Sequence, residues 1–284
     1  MILNASGCLD ALTAPDTARQ LDAFVTKTVT PFPREGNAPV RIAETADGML
    51  NSIGLANPGR DAFLADVLPA LAELDTPIWV SVGGFAASEY AETSAALDDR
   101  EEVAAIELNL SCPNVDEAPE SAAEIVATCR SRTRLPLYAK LSPAVPDVAA
   151  LARAVAAAGA DGLSLVNTIR GLALDEHLNP VLGTAIGGYS GPALKPIALA
   201  AVHAAFDATA LPIVGMGGVT TGRDALDLIA AGASAVALGT VLFTDPDAPQ
   251  RVRSELAGEL ASAGFASAAE ARGAAHLAPS AATA

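Results

Sequence analysis

The chain has 284 residues, which is enough for one large domain or two small ones. It carries 17 Lys and Arg against 33 Asp and Glu, so its formal net charge is −16. This balance argues against a nucleic-acid-binding protein and against attachment to anionic membranes. With 51% hydrophobic and 18% charged residues, the chain has the composition of a protein that buries a large core, not of a disordered one.

The sequence contains no pattern typical of a membrane span, a signal peptide or a disulfide framework. There is no apolar stretch of about 18 residues, so we predict no membrane span, and the first residues lack the basic and apolar regions of a signal peptide. The 3 cysteines are an odd number, which fits a reducing compartment better than a disulfide framework. We therefore expect a cytoplasmic protein.

Short apolar runs alternate with helical patterns along the chain. The predicted strands are 1–5, 22–29, 77–82, 105–110, 137–141, 162–167, 212–216 and 235–238. The predicted helices are 59–74, 88–97, 120–130, 147–158, 193–208, 223–231 and 249–263. Ser88 and Asp147 are typical helix-start residues, and Gly159 and Gly232 are typical of helix ends.

About eight strand–helix units on one chain predict a parallel sheet with crossover helices, and we favour a closed (β/α)8 TIM barrel as a single domain. A doubly wound open sheet is the alternative, although no GxGxxG follows the first strand. We assign residues 1–265 to the barrel and 266–284 to an Ala- and Ser-rich tail whose end we expect to be frayed. Two long connections without a clear helix, 30–58 and 168–192, are candidate lids or binding loops.

Polar residues cluster where the predicted strands end, which is where the active site of a parallel barrel forms. Two such positions are lysines, which could stabilise an anion or developing negative charge. Taken singly, each lysine could equally be a side chain at the barrel rim that reaches solvent. Asparagines stand at four, and together they suit a planar ligand with amide and carboxylate edges, although any one of them could be a turn residue. These residues are Lys27, Lys140, Asn51, Asn109, Asn114 and Asn167.

Two further signals lie at the same predicted face. The pairs Gly217–Gly218 and Gly239–Thr240 follow the last two strands, where glycine turns either bind a phosphate or simply permit a tight turn. Cys112 follows a strand end and could act as a base or nucleophile, although most free cysteines are small buried residues. No cysteine or histidine group shows metal-ligand spacing, so we predict no metal site.

Several segments together resemble the class 1 dihydroorotate dehydrogenases. They are TKTVTPFPREGNAPVRIAETADGMLNSIGLANPG (26–59), IELNLSCPNV (106–115), AKLSP (139–143), GLSLVNT (162–168), GGYSGPALKP (187–196), PIVGMGGV (212–219) and AGASAVALGT (231–240). They occur in order over roughly residues 1–245, and the NLSCPN block and the lysine–asparagine set are the specific parts.

The resemblance implies an FMN-containing (β/α)8 barrel that oxidises (S)-dihydroorotate to orotate in pyrimidine biosynthesis. Cys112 would take a proton from C5 of the substrate while C6 gives a hydride to flavin N5. The substrate would be held by Lys27, Asn51, Asn109, Asn114, Asn167 and Thr168. The flavin would be bound by Ser6, Gly7, Lys27, Thr28, Asn109, Lys140, Val166, Gly191, Gly217, Gly218, Gly239 and Thr240.

Within that family, MLNSIGLANPG, AKLSP and SGPALKP resemble the NAD-linked class 1B. That form implies a homodimer, or a heterotetramer with a second subunit that carries FAD and a 2Fe-2S cluster. The alternatives are the fumarate-linked class 1A, another FMN barrel reductase such as a dihydropyrimidine dehydrogenase, and a non-catalytic phosphate-binding barrel. Dihydrouridine synthases also use an FMN barrel with a cysteine, but they bind tRNA, which a net charge of −16 disfavours.

Overall fold

The computed structural model describes residues 1–110 and 121–277. In chain order, the strands within these residues are β1 (Ile2–Asn4), β2 (Phe24–Val25), β3 (Ile42–Thr45), β4 (Gly48–Asn51), β5 (Ile78–Val82), β6 (Val103–Asn109), β7 (Leu137–Leu141), β8 (Gly162–Leu165), β9 (Ile169–Gly171), β10 (Gly187–Ser190), β11 (Ile213–Met216) and β12 (Ala235–Leu238). The α-helices are α1 (Pro15–Ala18), α2 (Arg60–Ala62), α3 (Leu68–Ala72), α4 (Ala87–Leu97), α5 (Ala122–Arg130), α6 (Val148–Ala157), α7 (Lys195–Ala208), α8 (Gly222–Ala230), α9 (Ala248–Ser262) and α10 (Ala268–Ala271).

A parallel sheet in the order β1-β12-β11-β8-β7-β6-β5-β2 forms the centre of the molecule. A further parallel bridge between Leu3 and Ala23 joins β2 back to β1, so the sheet closes on itself. Closure leaves no strand of this sheet at an open edge, and it excludes the doubly wound alternative. The predicted (β/α)8 barrel is confirmed.

Side chains that point into the barrel fill its lower part, where the strands begin. Leu3, Val25 and Trp79 belong to an apolar cluster separate from the larger core under the helices. The rings of Trp79 and Tyr138 lie 4.3 Å apart. Gly162 faces Tyr138, and a Cβ at Gly162 would overlap that ring. Because this end of the barrel is packed, a ligand can enter only from the other end, where the strands finish.

Most helix boundaries agree with the sequence, and the differences have local causes. The side chain of Asp147 caps α6 by accepting a hydrogen bond of 2.8 Å from the Ala150 N–H, as predicted. The prediction of Ser88 as a cap is wrong, because α4 begins one residue earlier and its N-cap is Ala86. The helix predicted over 59–74 is present as α2 and α3 with a π-helical turn, Phe63–Val67, between them.

The two long connections contain regular secondary structure. Parts of 30–58 and 168–192 pair as an antiparallel sheet in the order β3-β4-β10-β9. The register places Asn51 of β4 opposite Gly188 of β10. A hydrogen bond of 2.6 Å between the hydroxyls of Ser52 and Thr184 adds a second link between the connections. We name this four-stranded structure the cover sheet.

The first part of the predicted tail packs on the barrel. Ala271 is buried, the Gly273 N–H donates to the Ile229 carbonyl at 3.1 Å, and Arg272 Nε donates to the Gly232 carbonyl at 2.9 Å. The chain is therefore held beside α8 as far as His276, whose Nε2 lies 3.0 Å from the Ala231 carbonyl oxygen, and the end of the tail lies outside the described residues. None of the helices in the described residues combines the length and apolar character that crossing a bilayer requires.

The contact between Gly162 and Tyr138 generates a stability prediction. We expect Gly162→Ala to lower the free energy of unfolding by about 1–3 kcal/mol, because the added methyl group overpacks the barrel interior. The measurement is urea denaturation at one flavin content. Gly258→Ala is the control: it lies in α9 with open space around it, so it should stabilise by about 1 kcal/mol or less. Equal effects of the two substitutions would contradict the packing argument.

Candidate active site

A cavity of about 370 Å³ opens at the carboxyl ends of the barrel strands. This volume falls in the range of small-molecule sites, about 300–1,000 Å³. The predicted site residues within the described part of the chain all line it: Ser6, Gly7, Lys27, Thr28, Asn51, Asn109, Lys140, Val166, Asn167, Thr168, Gly191, Gly217, Gly218, Gly239 and Thr240. The other two, Cys112 and Asn114, lie outside the described residues.

The most deeply buried charge at the cavity is the ammonium group of Lys140 near the end of β7. Lys140 is only 6% exposed, and its Nζ lies 3.4 Å from Oε1 of Glu107, which is 1% exposed. An unpaired ammonium at this depth would be strongly destabilising, and the carboxylate of Glu107 supplies its counter-charge. Sequence reasoning missed Glu107. Its signal was an acidic residue inside an otherwise apolar strand, two positions before Asn109 and on the same face.

A second lysine lies at the opposite side of the barrel mouth. Lys27 follows β2 and is half-buried. Gly7, whose φ is +78°, lies against its stem: a Cβ there would stand 3.1 Å from Cδ of Lys27. The glycine therefore lets the lysine stem pass close to the backbone after β1. Two cations thus approach the same cavity, from β2 and from β7, which suits an anionic ligand or developing negative charge.

Cys8 adjoins both lysines but is poorly suited to act as a base. Burial raises the pKa of its thiol, and the positive charges of Lys140 and Lys27 offset this only in part. At neutral pH the group therefore stays a protonated thiol.

The amide side chains at the cavity hold one another in place. Asn109 Nδ2 donates to Thr28 Oγ1 at 3.1 Å, and Asn167 Nδ2 donates to Asn109 Oδ1 at 3.1 Å. Asn167 Oδ1 in turn accepts from the Thr168 N–H at 2.8 Å. This chain of hydrogen bonds fixes which amide atoms are donors and which are acceptors, so the site is oriented before a ligand enters.

Asn51 reaches the cavity from the cover sheet. Its Nδ2 donates to the Gly188 carbonyl at 3.2 Å, which fastens it between β4 and β10. The cavity therefore has two structural sources: rigid barrel strands for the lysines and Asn109, and the cover sheet for Asn51. The second source could not be seen in the sequence pattern of single elements.

Glycine turns line the side of the cavity next to β11 and β12. Gly218 has φ +77°, and a Cβ there would lie 2.7 Å from the backbone N of Lys195, so a side chain is excluded for two reasons. The Thr240 hydroxyl donates to Ser190 Oγ at 2.8 Å, which joins this side of the cavity to the cover sheet. Glycine turns of this kind can bring backbone N–H groups close to a phosphate.

Asp224 stabilises the turn that follows Gly218. Partial burial alone would raise its pKa, but hydrogen bonds from Lys195, Thr220 and Thr221 outweigh this effect and hold the pKa well below its ordinary range. Lys195 Nζ lies 2.6 Å from Asp224 and 2.7 Å from Asp227. These contacts fix the backbone between β11 and α8, where we expect the phosphate.

A closed barrel with lysines, amides and glycine turns around one cavity at its carboxyl mouth defines an enzyme of the (β/α)8 class. Comparison with known proteins identifies the family. The profile of the family described as "Dihydroorotate dehydrogenase" matches residues 1–260. The chain belongs to this family, whose members are flavin-dependent oxidoreductases that convert dihydroorotate to orotate.

Two relatives illustrate the likeness. The protein named "Dihydroorotate dehydrogenase B (NAD(+)), catalytic subunit" from Desulforudis audaxviator is 46% identical over 264 residues, which cover 90% of this chain and 86% of that protein. Its namesake from Pelobacter propionicus is 47% identical over 241 residues, covering 82% and 79%. The fold is also that of the crystal structure of DHODH in complex with ferulenol from Eimeria tenella, with a TM-score of 0.81, 24% identity and coverage of 98% of this chain and 85% of that chain.

The Lys140–Glu107 pair generates a prediction about stability. We expect Glu107→Gln to lower the free energy of unfolding by about 3–5 kcal/mol, because it leaves the buried ammonium without a counter-charge. Adding Lys140→Met should restore a large part of that loss, which a double-mutant cycle in urea measures. Asp61→Asn, at the exposed Arg60–Asp61 pair, is the control and should change stability by about 0.5 kcal/mol or less. An additive double variant would contradict the coupling.

Proposed function

We propose that this chain is the catalytic subunit of an NAD-linked dihydroorotate dehydrogenase, and that it oxidises (S)-dihydroorotate to orotate with FMN bound in the barrel mouth. The observation that carries the proposal is the cavity itself. It gathers two lysines, a hydrogen-bonded set of amides and two glycine turns from distant parts of the chain. The names of the two relatives favour NAD over fumarate as the final electron acceptor.

The residues present fit FMN on their chemistry. FMN combines a flat, partly apolar ring with a phosphate group, and the lining contains both kinds of surface. Val166 and Met216 are apolar, Lys140 supplies a buried cation, and the Gly217–Gly218 turn leaves no side chain where a phosphate would approach.

We assign the residues to two functions. The proposed flavin-binding residues are Ser6, Gly7, Lys27, Thr28, Asn109, Lys140, Val166, Gly191, Gly217, Gly218, Gly239 and Thr240. The proposed substrate-binding residues are Lys27, Asn51, Asn109, Asn114, Asn167 and Thr168. Lys27 and Asn109 are in both sets because the family resemblance implies that they contact both molecules. Lys140, held by Glu107, places a positive charge where electron density would accumulate on the reduced ring.

In the proposed reaction the protein binds, orients and deprotonates the substrate. The bound flavin supplies the acceptor for the hydride that leaves C6. Cys112 removes the proton from C5, and the electron pair of that C–H bond completes the C5–C6 double bond of orotate. The amides of Asn109 and Asn167, fixed by their mutual hydrogen bond of 3.1 Å, would hold the ring and carboxylate so that both C–H bonds are correctly placed.

The electrons then have to leave the barrel, and we propose that they pass to a partner subunit that carries FAD and a 2Fe-2S cluster. The described part of this chain offers no cysteine group for such a cluster. Its two described cysteines, Cys8 and Cys129, are free, and burial raises the pKa of Cys129 to about 11. We expect a homodimer of this chain, or a heterotetramer with that partner, in the reducing cytoplasm.

Substitution of two cysteines tests the assignment of Cys112 as the base. We predict that Cys112→Ala retains the visible flavin spectrum but slows flavin reduction by dihydroorotate by about 10²–10⁴-fold, because it removes the proton acceptor. Anaerobic stopped-flow absorbance measures the rate.

Cys8→Ala is the control, because Cys8 is a cysteine that lines the cavity and its raised thiol pKa makes it unsuited to proton abstraction. Its reduction rate should stay within a few-fold of the parent, a small change on the scale of base removal. Near-parental reduction by Cys112→Ala would remove Cys112 from the base role. If flavin reduction by dihydroorotate were slowed equally in both variants, the cause would be a general disturbance of the cavity and not the loss of a base.

A further inference from the structure

Two histidines and an aspartate meet on the outside of the barrel. His203 and Asp207 stand four residues apart on α7, and His276 lies in the turn after α10. His276 Nδ1 is 2.8 Å from Asp207 Oδ1, and His203 Nδ1 is 3.7 Å from Asp207 Oδ2. The two imidazole rings stack at 3.7 Å with an interplanar angle of 19°. One potential ligand atom from each residue lies within 4.8 Å of the others.

This cluster is remote from the proposed active site. The cavity lies at the carboxyl ends of the strands, and the helices run back toward the other end of the barrel. Asp207 stands at the last turn of α7, and Ala231, which contacts His276, directly follows α8. The cluster therefore lies at the end where the strands begin, a location associated with stability and not with catalysis.

We propose that His203, Asp207 and His276 form a binding site for a divalent transition-metal ion, with zinc as the best-suited species. Imidazole nitrogens and a carboxylate oxygen are ligands that Zn²⁺ accepts at tetrahedral sites. The ligands are His203 Nδ1, His276 Nδ1 and one oxygen of Asp207. Water completes the coordination, so the ion is exchangeable.

The surroundings of His276 already favour this role. Its Nε2 lies 3.0 Å from the Ala231 carbonyl oxygen. A proton on Nε2 satisfies that carbonyl, and a bound ion would take the place of the proton that joins Nδ1 to Asp207 Oδ1 at 2.8 Å. Metal-bound histidines usually have such an N–H donor contact on their second nitrogen, because it fixes the tautomer and the ring orientation. His276 is 13% exposed, so its ring is held by packing before any ion arrives.

A small movement brings the ligand atoms to coordination distance. Zinc bonds of about 2.0–2.1 Å in a tetrahedron place ligand atoms roughly 3.4 Å apart. His276 Nδ1 lies 2.8 Å from Asp207 Oδ1 and His203 Nδ1 lies 3.7 Å from Asp207 Oδ2, so the two contacts are close to that value. With one oxygen of Asp207 as the ligand, the three ligand atoms lie within 4.8 Å of one another. His203 is the ligand that moves, because its side chain is 45% exposed and can turn about its own torsions. The nearby guanidinium of Arg272 lies over the Phe206 ring and donates to the Gly232 carbonyl, so it occupies neither histidine.

The site would join the C-terminal segment to the barrel. His203 and Asp207 belong to α7, whereas His276 belongs to the C-terminal segment 266–277, which packs against α8. An ion bound by both parts binds the packed state more tightly than the detached one, and it therefore stabilises the packed state. The chemistry consequently predicts both metal binding and a change in the dynamics of this segment.

The test is zinc titration of the flavin-loaded, EDTA-treated and desalted protein by calorimetry at pH 7.5. We expect one saturable site that His203→Gln weakens by about tenfold or more, because one of three protein ligands is lost. His203 is exposed, so this variant keeps the fold. His177→Gln is the control: His177 is an exposed histidine beside an acidic residue, Glu176, and lies outside the cluster. All three proteins retain the same cysteines, so thiol binding contributes equally.

Hydrogen exchange provides a second readout at the same zinc concentrations. Zinc should slow exchange of the amides of 268–277 in the parent and in His177→Gln but not in His203→Gln. Lowering the pH to 5.5 should abolish the slowing, because protonated imidazoles cannot bind the ion. Equal zinc affinity in His203→Gln and the parent, or no saturable binding in the parent, would overturn the proposal.

Discussion

The ammonium group of Lys140 is almost entirely shielded from water inside the barrel, and Glu107 supplies its counter-charge. A charge at this depth requires a partner, and neighbouring parallel strands provide one at 3.4 Å. Below the pair, Trp79 and Tyr138 close the barrel with apolar packing. Lys140, with Glu107 behind it, lines the cavity at the carboxyl ends of the strands. Along the barrel strands, apolar packing at the beginning is thus followed by an ion pair near the end. In our proposal, the position of the flavin depends on this change.

The mouth of the cavity is assembled from segments that are far apart in sequence. Barrel strands supply groups whose positions are fixed by parallel pairing, such as Asn109 beside Lys140. The cover sheet supplies Asn51 and is fastened to the barrel side by the hydrogen bond between Thr240 and Ser190. A rigid floor with a separately built cover allows a planar ligand to be enclosed between them. This arrangement fits a reaction in which one small molecule must lie against another and be kept from water.

Sequence reasoning placed the lysines, the asparagines and the glycine turns at one end of the barrel by a single rule: the carboxyl ends of parallel strands converge. Other proposed residues, such as Ser6 and Gly191, came only from the family resemblance. Sequence reasoning assigned β7 and β12 with the bounds found, 137–141 and 235–238. It failed where pairing depends on tertiary contact. β4 and β10 are far apart in sequence, so no local pattern predicts that they pair. The β3–β4 hairpin did have a local signal, the Asp47–Gly48 pair at its turn. Glu107 was missed because its partner, Lys140, is on the neighbouring strand β7. His203 and His276 were missed because only the packed tail brings them together.

The most direct test of the account is the anaerobic visible spectrum of the purified, flavin-loaded protein before and after addition of dihydroorotate. The account predicts an oxidised flavin spectrum that bleaches with dihydroorotate and not with dihydrouracil, since the amides and lysines are proposed to recognise the carboxylate that dihydrouracil lacks. Fumarate or NAD, added afterwards with and without a partner subunit, then identifies the acceptor. A flavin that stays oxidised with dihydroorotate, or a protein that cannot bind FMN, would contradict the account.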